Sequence, residues 1–194
     1  MITIRKARPE DLERVSEIYV RSWQDTYPGI IDQDYLDGMT PEHCQKHLGD
    51  YIADPDKELF VAVDASDYPL GILACNLYTE MKTCGMVDIL HIDKPYKGMG
   101  LGTELVKECA KYMRANGRNS LAVDVVVGND KAIGFYKHTG AKSFQHYLDI
   151  GDGGVEIPSL IMLWDIDQLL GTEPETHRFI EIQKPDRVAN RAAN

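Results

Sequence analysis

The sequence predicts a single α/β (α+β) domain with a central sheet of about seven strands and about four helices. Seven short runs are rich in apolar and β-branched residues, and four longer segments repeat their apolar residues at helical spacing. A chain of 194 residues is a one-domain length and can bury a sizeable core. Its 43% of hydrophobic and 27% of charged residues are ordinary values for a globular protein.

The first half of the chain is predicted to form one strand, two helices and a hairpin. Residues 2–5 predict a short strand, and a helix follows from about 9 to 24, where apolar residues recur at helical spacing. A Thr-Pro pair at 40–41 is typical of a helix start, and this second helix ends before residue 54. Two apolar runs joined by a turn, 59–63 and 70–78, predict a hairpin.

The second half is predicted to alternate strands with helices. The predicted strands are 86–92, 121–127, 143–148 and 158–166, and the predicted helices are 100–116 and 131–139. Gly151 to Gly154 predict the turn between the last two strands. We expect one domain over residues 1–166 and a partly ordered or frayed C-terminal extension over 167–194. Apolar residues in that extension are expected to cover a sheet edge or to contact a second subunit in a homodimer.

Composition and charge exclude several classes of partner. The 21 basic and 31 acidic residues give a net charge of −10, which disfavours nucleic-acid binding and weakly favours cationic partners. No apolar run is long enough to cross a membrane, and the N-terminus lacks a secretory signal, so we expect a cytoplasmic protein. The four cysteines form no Cys-x-x-Cys pair, and we expect no metal site.

The most informative segment runs from Asp88 to Thr103, where a strand leads through a glycine-rich loop into a helix. Glycines allow close approach of a ligand, and free N–H groups at a helix start bind phosphate. The segment lacks the Lys of a Walker loop. It also fails the Gly-x-Gly-x-x-Gly dinucleotide pattern, because Thr103 stands where the third glycine is required.

The segment resembles the pyrophosphate loop of the GNAT acetyltransferases. The family's Arg/Gln-x-x-Gly-x-Gly/Ala pattern is matched by Lys97-Gly98-Met99-Gly100-Leu101-Gly102, with a lysine where the family has Arg or Gln. A second match joins Asn129, Ala132, Phe135-Tyr136 and Gly140 in the family's order. The resemblance extends from residue 2 to about 166.

The resemblance implies a mixed, mostly antiparallel sheet in which two parallel strands splay apart. The pantetheine arm of acetyl-CoA would lie in the gap, with its pyrophosphate on the loop, and no metal would be needed. Its implied contacts are Leu90, Ile92, Lys97, Gly98, Met99, Gly100, Leu101, Gly102, Thr103, Asn129 and Tyr136. The implied reaction is direct attack of a primary amine on the thioester.

Three residues are candidates for proton transfer. Tyr136 belongs to the family's Phe-Tyr pair and could donate to the leaving thiolate. Some family members carry a glutamate where this chain has Met86, so Asp88, two residues on and on the same face, is the candidate base. His91 is a second candidate base, predicted on the opposite face of the strand.

The acceptor side is predicted from the aromatic residues after the first helix, namely Trp23, Tyr27 and Tyr35. Asp124 interrupts an apolar run and either joins a proton relay or pairs structurally. His43 and His47 have metal-compatible spacing, but no third ligand is evident.

An N-acetyltransferase acting on a small cationic amine or a protein N-terminus is therefore the leading hypothesis. A non-catalytic acyl-CoA-binding module or sensor is the alternative, because Met86 cannot accept a proton. A dinucleotide oxidoreductase ranks third.

Overall fold

The computed structural model describes residues 2–77, 81–150 and 156–172, and it confirms the predicted α/β (α+β) fold. Seven strands form one sheet in the order β1-β2-β3-β4-β5-β7-β6, in which only the β4–β5 pair is parallel. The strands are β1 (Thr3–Lys6), β2 (Lys57–Val63), β3 (Pro69–Asn76), β4 (Cys84–Ile92), β5 (Ser120–Val126), β6 (Lys142–Ile150) and β7 (Glu156–Asp165).

The described residues form six helices, two more than the sequence predicted. They are α1 (Leu12–Thr26), α2 (Gln33–Gly38), α3 (Pro41–Ala53), α4 (Leu101–Ala115), α5 (Asp130–His138) and α6 (Ile166–Leu170). The two additional helices, α2 and α6, are short, and each begins at an aspartate whose side chain accepts a backbone N–H bond. Such short helices present too few turns to show an apolar period.

The sheet carries one core on each face. The back face packs against α4 and α5, and Leu105, Cys109 and Met113 of α4 are fully buried there, as their spacing predicted. Gly85 on β4 lets α4 approach closely, because a Cβ at this position would lie 2.2 Å from the Met113 sulfur. The front face packs against α1 and α3 through a second cluster that includes Leu48.

Strand β4 has two irregularities that shape the site. Its pairing with β5 runs from Cys84–Ser120 to Val87–Val123, and the described residues show no further pairing of these two strands. In its pairing with β3, Val87 lies opposite Cys75 and the next pair is Ile89–Ala74, so Asp88 is an extra, bulged residue. The predicted splay of the parallel pair is therefore present and begins at the bulge.

Helix α6 continues past residue 166, where the sequence predicted the domain to end. Ile166 is buried, and Leu169 and Leu170 pack against the back core. The predicted turn at 151–154 and residues 173–194 of the predicted extension lie outside the described residues. Over the parts of the chain that are described, no helix combines the length and apolar character needed to span a bilayer.

Candidate active site

The predicted phosphate loop has the backbone of an anion site. Gly98 and Gly100 have positive φ angles of 79° and 83°, which L side chains rarely adopt, and Gly100 is the N-cap of α4. The first hydrogen bond of this helix runs from the Glu104 N–H to the Gly100 carbonyl oxygen. Since a helix leaves its first N–H groups without intrahelical acceptors, those of residues 101–103 are available to a phosphate.

The three loop glycines serve different purposes. A Cβ at Gly98 or Gly100 would meet no atom within 4 Å, so these positions face open space. A Cβ at Gly102 would lie 3.1 Å from the Phe135 ring. Gly102 therefore allows α5 to pack against the start of α4, whereas Gly98 and Gly100 supply the turn and the space for a ligand.

Tyr136 of α5 is a buried phenol. It is 7% exposed, and its ring makes a perpendicular contact with Trp164 at a centroid distance of 5.4 Å. Burial, together with the charges of Tyr27 and Asp124, raises the pKa of Tyr136 well above its ordinary value. Within the described residues its hydroxyl has no hydrogen-bond partner, so a protonated donor is held without an acceptor from this part of the chain.

Asp124 lies at the splay, one residue beyond the Val87–Val123 pair. The Tyr147 hydroxyl of β6 donates a hydrogen bond to it, and its charge contributes to the raised pKa values of Tyr27 and Tyr136. The charge of Asp124 thus helps to raise the pKa values of both Tyr27 and Tyr136.

Asn129 contacts both α5, the helix that carries Tyr136, and the predicted acceptor residue Tyr27. Its side-chain oxygen accepts a hydrogen bond of 3.2 Å from the Ala132 N–H and caps α5. A hydrogen bond between Asn129 and Tyr27 partly offsets the rise that burial causes in the pKa of Tyr27. The structure thus shows Asn129 as the N-cap of α5.

The front face carries a row of aromatic rings, here called the aromatic row. The three predicted acceptor residues meet in it: Trp23 lies 4.8 Å from Tyr27 and 6.4 Å from Tyr35 between ring centroids. The row continues through contacts of 5.3 to 6.4 Å between Tyr19, His47, Tyr51 and His91.

Asp88 is held by two neutral donors. Its Oδ2 accepts 3.0 Å from the Tyr51 hydroxyl of α3 and 2.5 Å from the Asn76 amide nitrogen of β3. Met86 pairs with Asn76 on the neighbouring strand. The side chain of Asp88 therefore lies on the front face, beneath α3.

The prediction that His91 lies on the face opposite Asp88 is wrong. The His91 Nδ1 lies 2.9 Å from the Ser22 hydroxyl of α1, and its ring contacts Tyr19, so His91 also faces front. The bulge at Asp88 causes this difference, because an extra residue reverses the alternation of side chains. Burial, with the nearby charge of Lys97, lowers the pKa of His91 to about 3, so its imidazole is neutral near pH 7.

The loop is anchored to α1 at its beginning. Arg14 of α1 forms an ion pair with the buried Asp93, whose other carboxylate oxygen accepts from the Lys94 N–H at 3.0 Å. A cavity of about 360 Å³ lies between the second half of α1 and this turn, and Arg21, Lys94 and Lys97 are among its lining residues.

His43 and His47, which have metal-compatible spacing, both lie on α3. Among the described residues, no three His, Cys, Asp or Glu side chains come together in a way that could hold a metal ion. His47 instead packs edge-on against Tyr51 at 5.5 Å.

Sequence reasoning missed several site residues. Tyr51, Asn76 and Tyr147 belong to no local motif, and they reach the site only because three separate elements converge on it. Asp124 could be noticed in the sequence, because a carboxylate within an apolar strand is costly to bury unless it has a partner.

These features define a class of α/β protein in which one strand of a splayed parallel pair leads through a glycine-rich turn into a helix. The model of the acetyltransferase (GNAT) family matches residues 12–141. The chain belongs to this family, and its class of activity is N-acetyl transfer.

Relatives and a solved structure agree with this assignment. The chain is 28% identical over 142 residues to the peptidyl-lysine N-acetyltransferase YjaB of Escherichia coli, covering 73% of this chain and 83% of that protein. It is 25% identical over 152 residues to a spermidine N(1)-acetyltransferase of Thermoplasma acidophilum, covering 73% and 88%. It is 24% identical over 142 residues to an uncharacterized N-acetyltransferase of Methanocaldococcus jannaschii, covering 71% of this chain but only 59% of that protein. The PaiA N-acetyltransferase of Thermoplasma acidophilum, solved in complex with coenzyme A, has the same fold, with a TM-score of 0.67 and 23% identity over 85% of this chain and 99% of that one.

Proposed function

We propose that this protein transfers the acetyl group of acetyl-CoA directly to the primary amine of a small cationic acceptor. The observation that carries the proposal is the gap between β4 and β5. The charge of Asp124 at this gap contributes to the raised pKa of Tyr136, and the loop of residues 97–103 follows the end of β4. Asp124 and the aromatic row lie on its front side. A thioester in this gap would have a phenol on one side and an acidic, aromatic surface on the other.

The residues of the loop fit the phosphates of CoA. Free N–H groups at the start of α4 and the open space at Gly98 and Gly100 suit the pyrophosphate. Lys97 is exposed and supplies a point charge in place of a guanidinium fork. Beyond Val87, the edge of β4 that faces β5 is free of ladder bonds within the described residues, so its N–H and carbonyl groups can receive the pantetheine arm, as implied for Leu90 and Ile92.

We assign the role of proton acceptor to Asp124 in place of the predicted Asp88. An alkylammonium has a pKa of about 10, so it must lose a proton before it can attack. The charge of Asp124 acts on Tyr27 and Tyr136, which places this carboxylate in the same neighbourhood as the phenol. Asp88 accepts hydrogen bonds from Tyr51 and Asn76 beneath α3, whereas the charges that raise the pKa of Tyr136 are those of Tyr27 and Asp124.

Tyr136 stabilises the leaving thiolate by hydrogen bonding. A thiol has a pKa of about 8.5, and the pKa of Tyr136 is raised above its ordinary value, so complete proton transfer from the phenol would be unfavourable. A protonated hydroxyl in a buried site is nevertheless a strong donor to a developing negative charge. Strand N–H groups would serve the carbonyl oxygen in the same way.

The experiment is a thiol-release assay with acetyl-CoA and a panel of neutral, anionic and cationic amines. We expect turnover that is fastest with cationic amines, and a thermal shift with acetyl-CoA but not with NAD or ATP. Asp124→Asn should lower the rate below the pKa of the amine and recover it partly at high pH. Binding of acetyl-CoA without turnover of any amine would contradict the proposal.

A further inference from the structure

The two edges of the sheet differ in how well they are protected from other chains. β1 forms one edge and has only four residues, and a short edge strand is one of the ways in which proteins avoid unwanted pairing. β6 forms the opposite edge, has nine residues, and pairs only with β7 among the described strands. The outward N–H and carbonyl groups of β6 can therefore pair with a further strand.

The side chains of β6 do little to prevent such pairing. Phe144 and Leu148 are 36% and 56% exposed, and no other large hydrophobic side chain described within a strand is as exposed. Proteins usually protect a long edge with charges, a proline or a bulge. β6 has no proline, its charged residues Lys142 and Asp149 lie near its ends, and its bulge leaves residues 145–150 in regular pairing.

The bulge determines which side chains of β6 share a face of the sheet. Ser143 lies opposite Met162 and Gln145 lies opposite Ile161, so Phe144 is the extra residue. The Tyr147 hydroxyl reaches Asp124 on the front face, so alternation from 147 places residues 145 and 149 on the front face and 144, 146 and 148 on the back face. Residue 142 pairs one position beyond the fully buried Met162 and also faces front.

A two-fold axis through His146 makes the apolar part of this edge complementary to itself. In an antiparallel pair formed by two copies of β6, His146 then lies opposite its own copy. Phe144 and Leu148 each lie two residues from His146 and on the same face, so Phe144 of one copy falls opposite Leu148 of the other. Each exposed apolar side chain is thereby covered by the other.

The charged ends of β6 match under the same axis. Because Ser143 and the bulged Phe144 share the place opposite Leu148, the next pair joins Lys142 of one copy to Asp149 of the other, both on the front face. Opposite charges across two strands stabilise their pairing, and the two-fold axis repeats the pair. Lys142 is exposed and has no ion pair within the described parts of the chain.

We propose that the edge of β6 is an interaction surface for a second copy of this chain, paired antiparallel about His146. The two seven-stranded sheets then form one continuous sheet. The inference does not depend on acetyl transfer, but it concerns the acceptor side. Tyr147, which donates to Asp124, lies opposite Gln145 of the partner subunit, so the dimer places a second chain beside the proposed base.

Light scattering of the full chain at micromolar concentration should give twice the mass of one chain. Leu148→Lys places a charge against Phe144 and should weaken the dimer by about tenfold or more, because a charge on an edge strand opposes pairing. The matched control is Ile2→Lys, since Ile2 is 40% exposed beside the other edge strand, and it should leave the dimer unchanged. Lys142→Asp should also weaken the dimer, and its combination with Asp149→Lys should restore it.

Cross-linking tests the register. Residues directly opposite in antiparallel strands have Cα atoms about 4.5 or 5.5 Å apart, which suits a disulfide bond. Diamide serves as the oxidant and takes up the two hydrogens lost when two thiols join. His146→Cys should give a cross-linked dimer, whereas Leu148→Cys, which lies away from the axis, should not. The four native cysteines are buried, and the unchanged chain gives their background.

Three results would overturn the inference while leaving the proposed function intact. A full chain that scatters light as a monomer would show that another segment or another partner covers the edge of β6. A dimer that persists in Leu148→Lys would use a different surface. Cross-linking of Leu148→Cys without cross-linking of His146→Cys would exclude the two-fold axis at His146. Leu148 is more than half exposed, so Leu148→Lys should fold, and its melting temperature checks this.

Discussion

The two halves of the proposed site differ in composition, because one is mainly backbone and the other mainly side chains. The cofactor half consists mainly of backbone, namely the N–H groups at the start of α4 and the free edge of β4. The acceptor half consists of side chains from α1, α2, α3, β3, β5 and β6. A site built from backbone groups loses binding when a substitution alters the local conformation, but it tolerates substitutions that alter only side-chain chemistry. A site built from side chains loses binding when their chemistry changes. The same fold can therefore keep one acetyl donor while the amine that accepts the acetyl group changes.

Tyr136 is the place where a side chain enters the cofactor half, and we expect the largest effect there. Tyr136→Phe should lower kcat by about 10²- to 10³-fold, the usual loss when one preorganised hydrogen-bond donor is removed. KM for acetyl-CoA should change little, because the ring still packs against Trp164. Steady-state kinetics with both substrates tests this expectation. A variant with unchanged kcat would mean that the Tyr136 hydroxyl does not stabilise the leaving thiolate.

His91 sharpens the comparison, because it is a partly buried titratable side chain on β4, the strand whose free edge belongs to the backbone half. Its pKa is about 3 in the folded protein and about 6.5 when unfolded, so the unfolded chain binds more protons between these values. The free energy of unfolding should therefore fall as the pH falls through this window. At pH 5 the loss is about 2 kcal/mol from this residue alone.

Chemical denaturation at pH 7 and pH 5 measures this dependence. His91→Gln conserves a polar group near Ser22 and should lose less stability on acidification than the wild type. Equal losses in the two proteins would show that the imidazole is not buried in its neutral form.

Gly100 tests the backbone half directly. Gly100→Val should weaken acetyl-CoA binding by about tenfold, since a left-handed conformation costs an L residue about 1 to 2 kcal/mol. Gly117 has a similar φ of 74° at the opposite end of α4, so Gly117→Val is the matched control. It should lose comparable stability but keep its affinity in calorimetry. Equal loss of affinity in both variants would mean that strain alone, and not the loop, sets binding.

Lys97 should give the smallest effect, because an exposed charge on a phosphate is screened by salt. Lys97→Ala should raise KM for acetyl-CoA a few-fold at low ionic strength and by less at high salt. Lys97→Met, which keeps the length of the side chain, separates charge from packing. A loss that does not depend on salt would contradict the electrostatic account.

The same contrast explains how far the sequence could predict the structure. The loop and the Phe-Tyr pair are local motifs, so contiguous residues predicted the helices and strands, and the family resemblance that these motifs carry implied the mixed sheet with its parallel pair. The acceptor half was predicted only at Trp23, Tyr27 and Tyr35, which follow one another along the chain. Asn76, Tyr51 and Tyr147 come from distant elements. The face of His91 could not be predicted, because a single bulged residue reverses the alternation on which the prediction relied.

The ion pair between Arg14 and Asp93 has a consequence for how the molecule opens. It joins the N-terminal half of α1 to the first turn of the phosphate loop, with both side chains largely buried. Losing Arg14 would remove the cation that compensates the buried Asp93, at a cost of about 3 to 5 kcal/mol, whereas losing Asp93 would leave Arg14 its ion pair with Glu17. Helix α1 and the turn at residues 93–97 should therefore unfold as one cooperative unit, and their amide protons should exchange with solvent at the same free energy of opening.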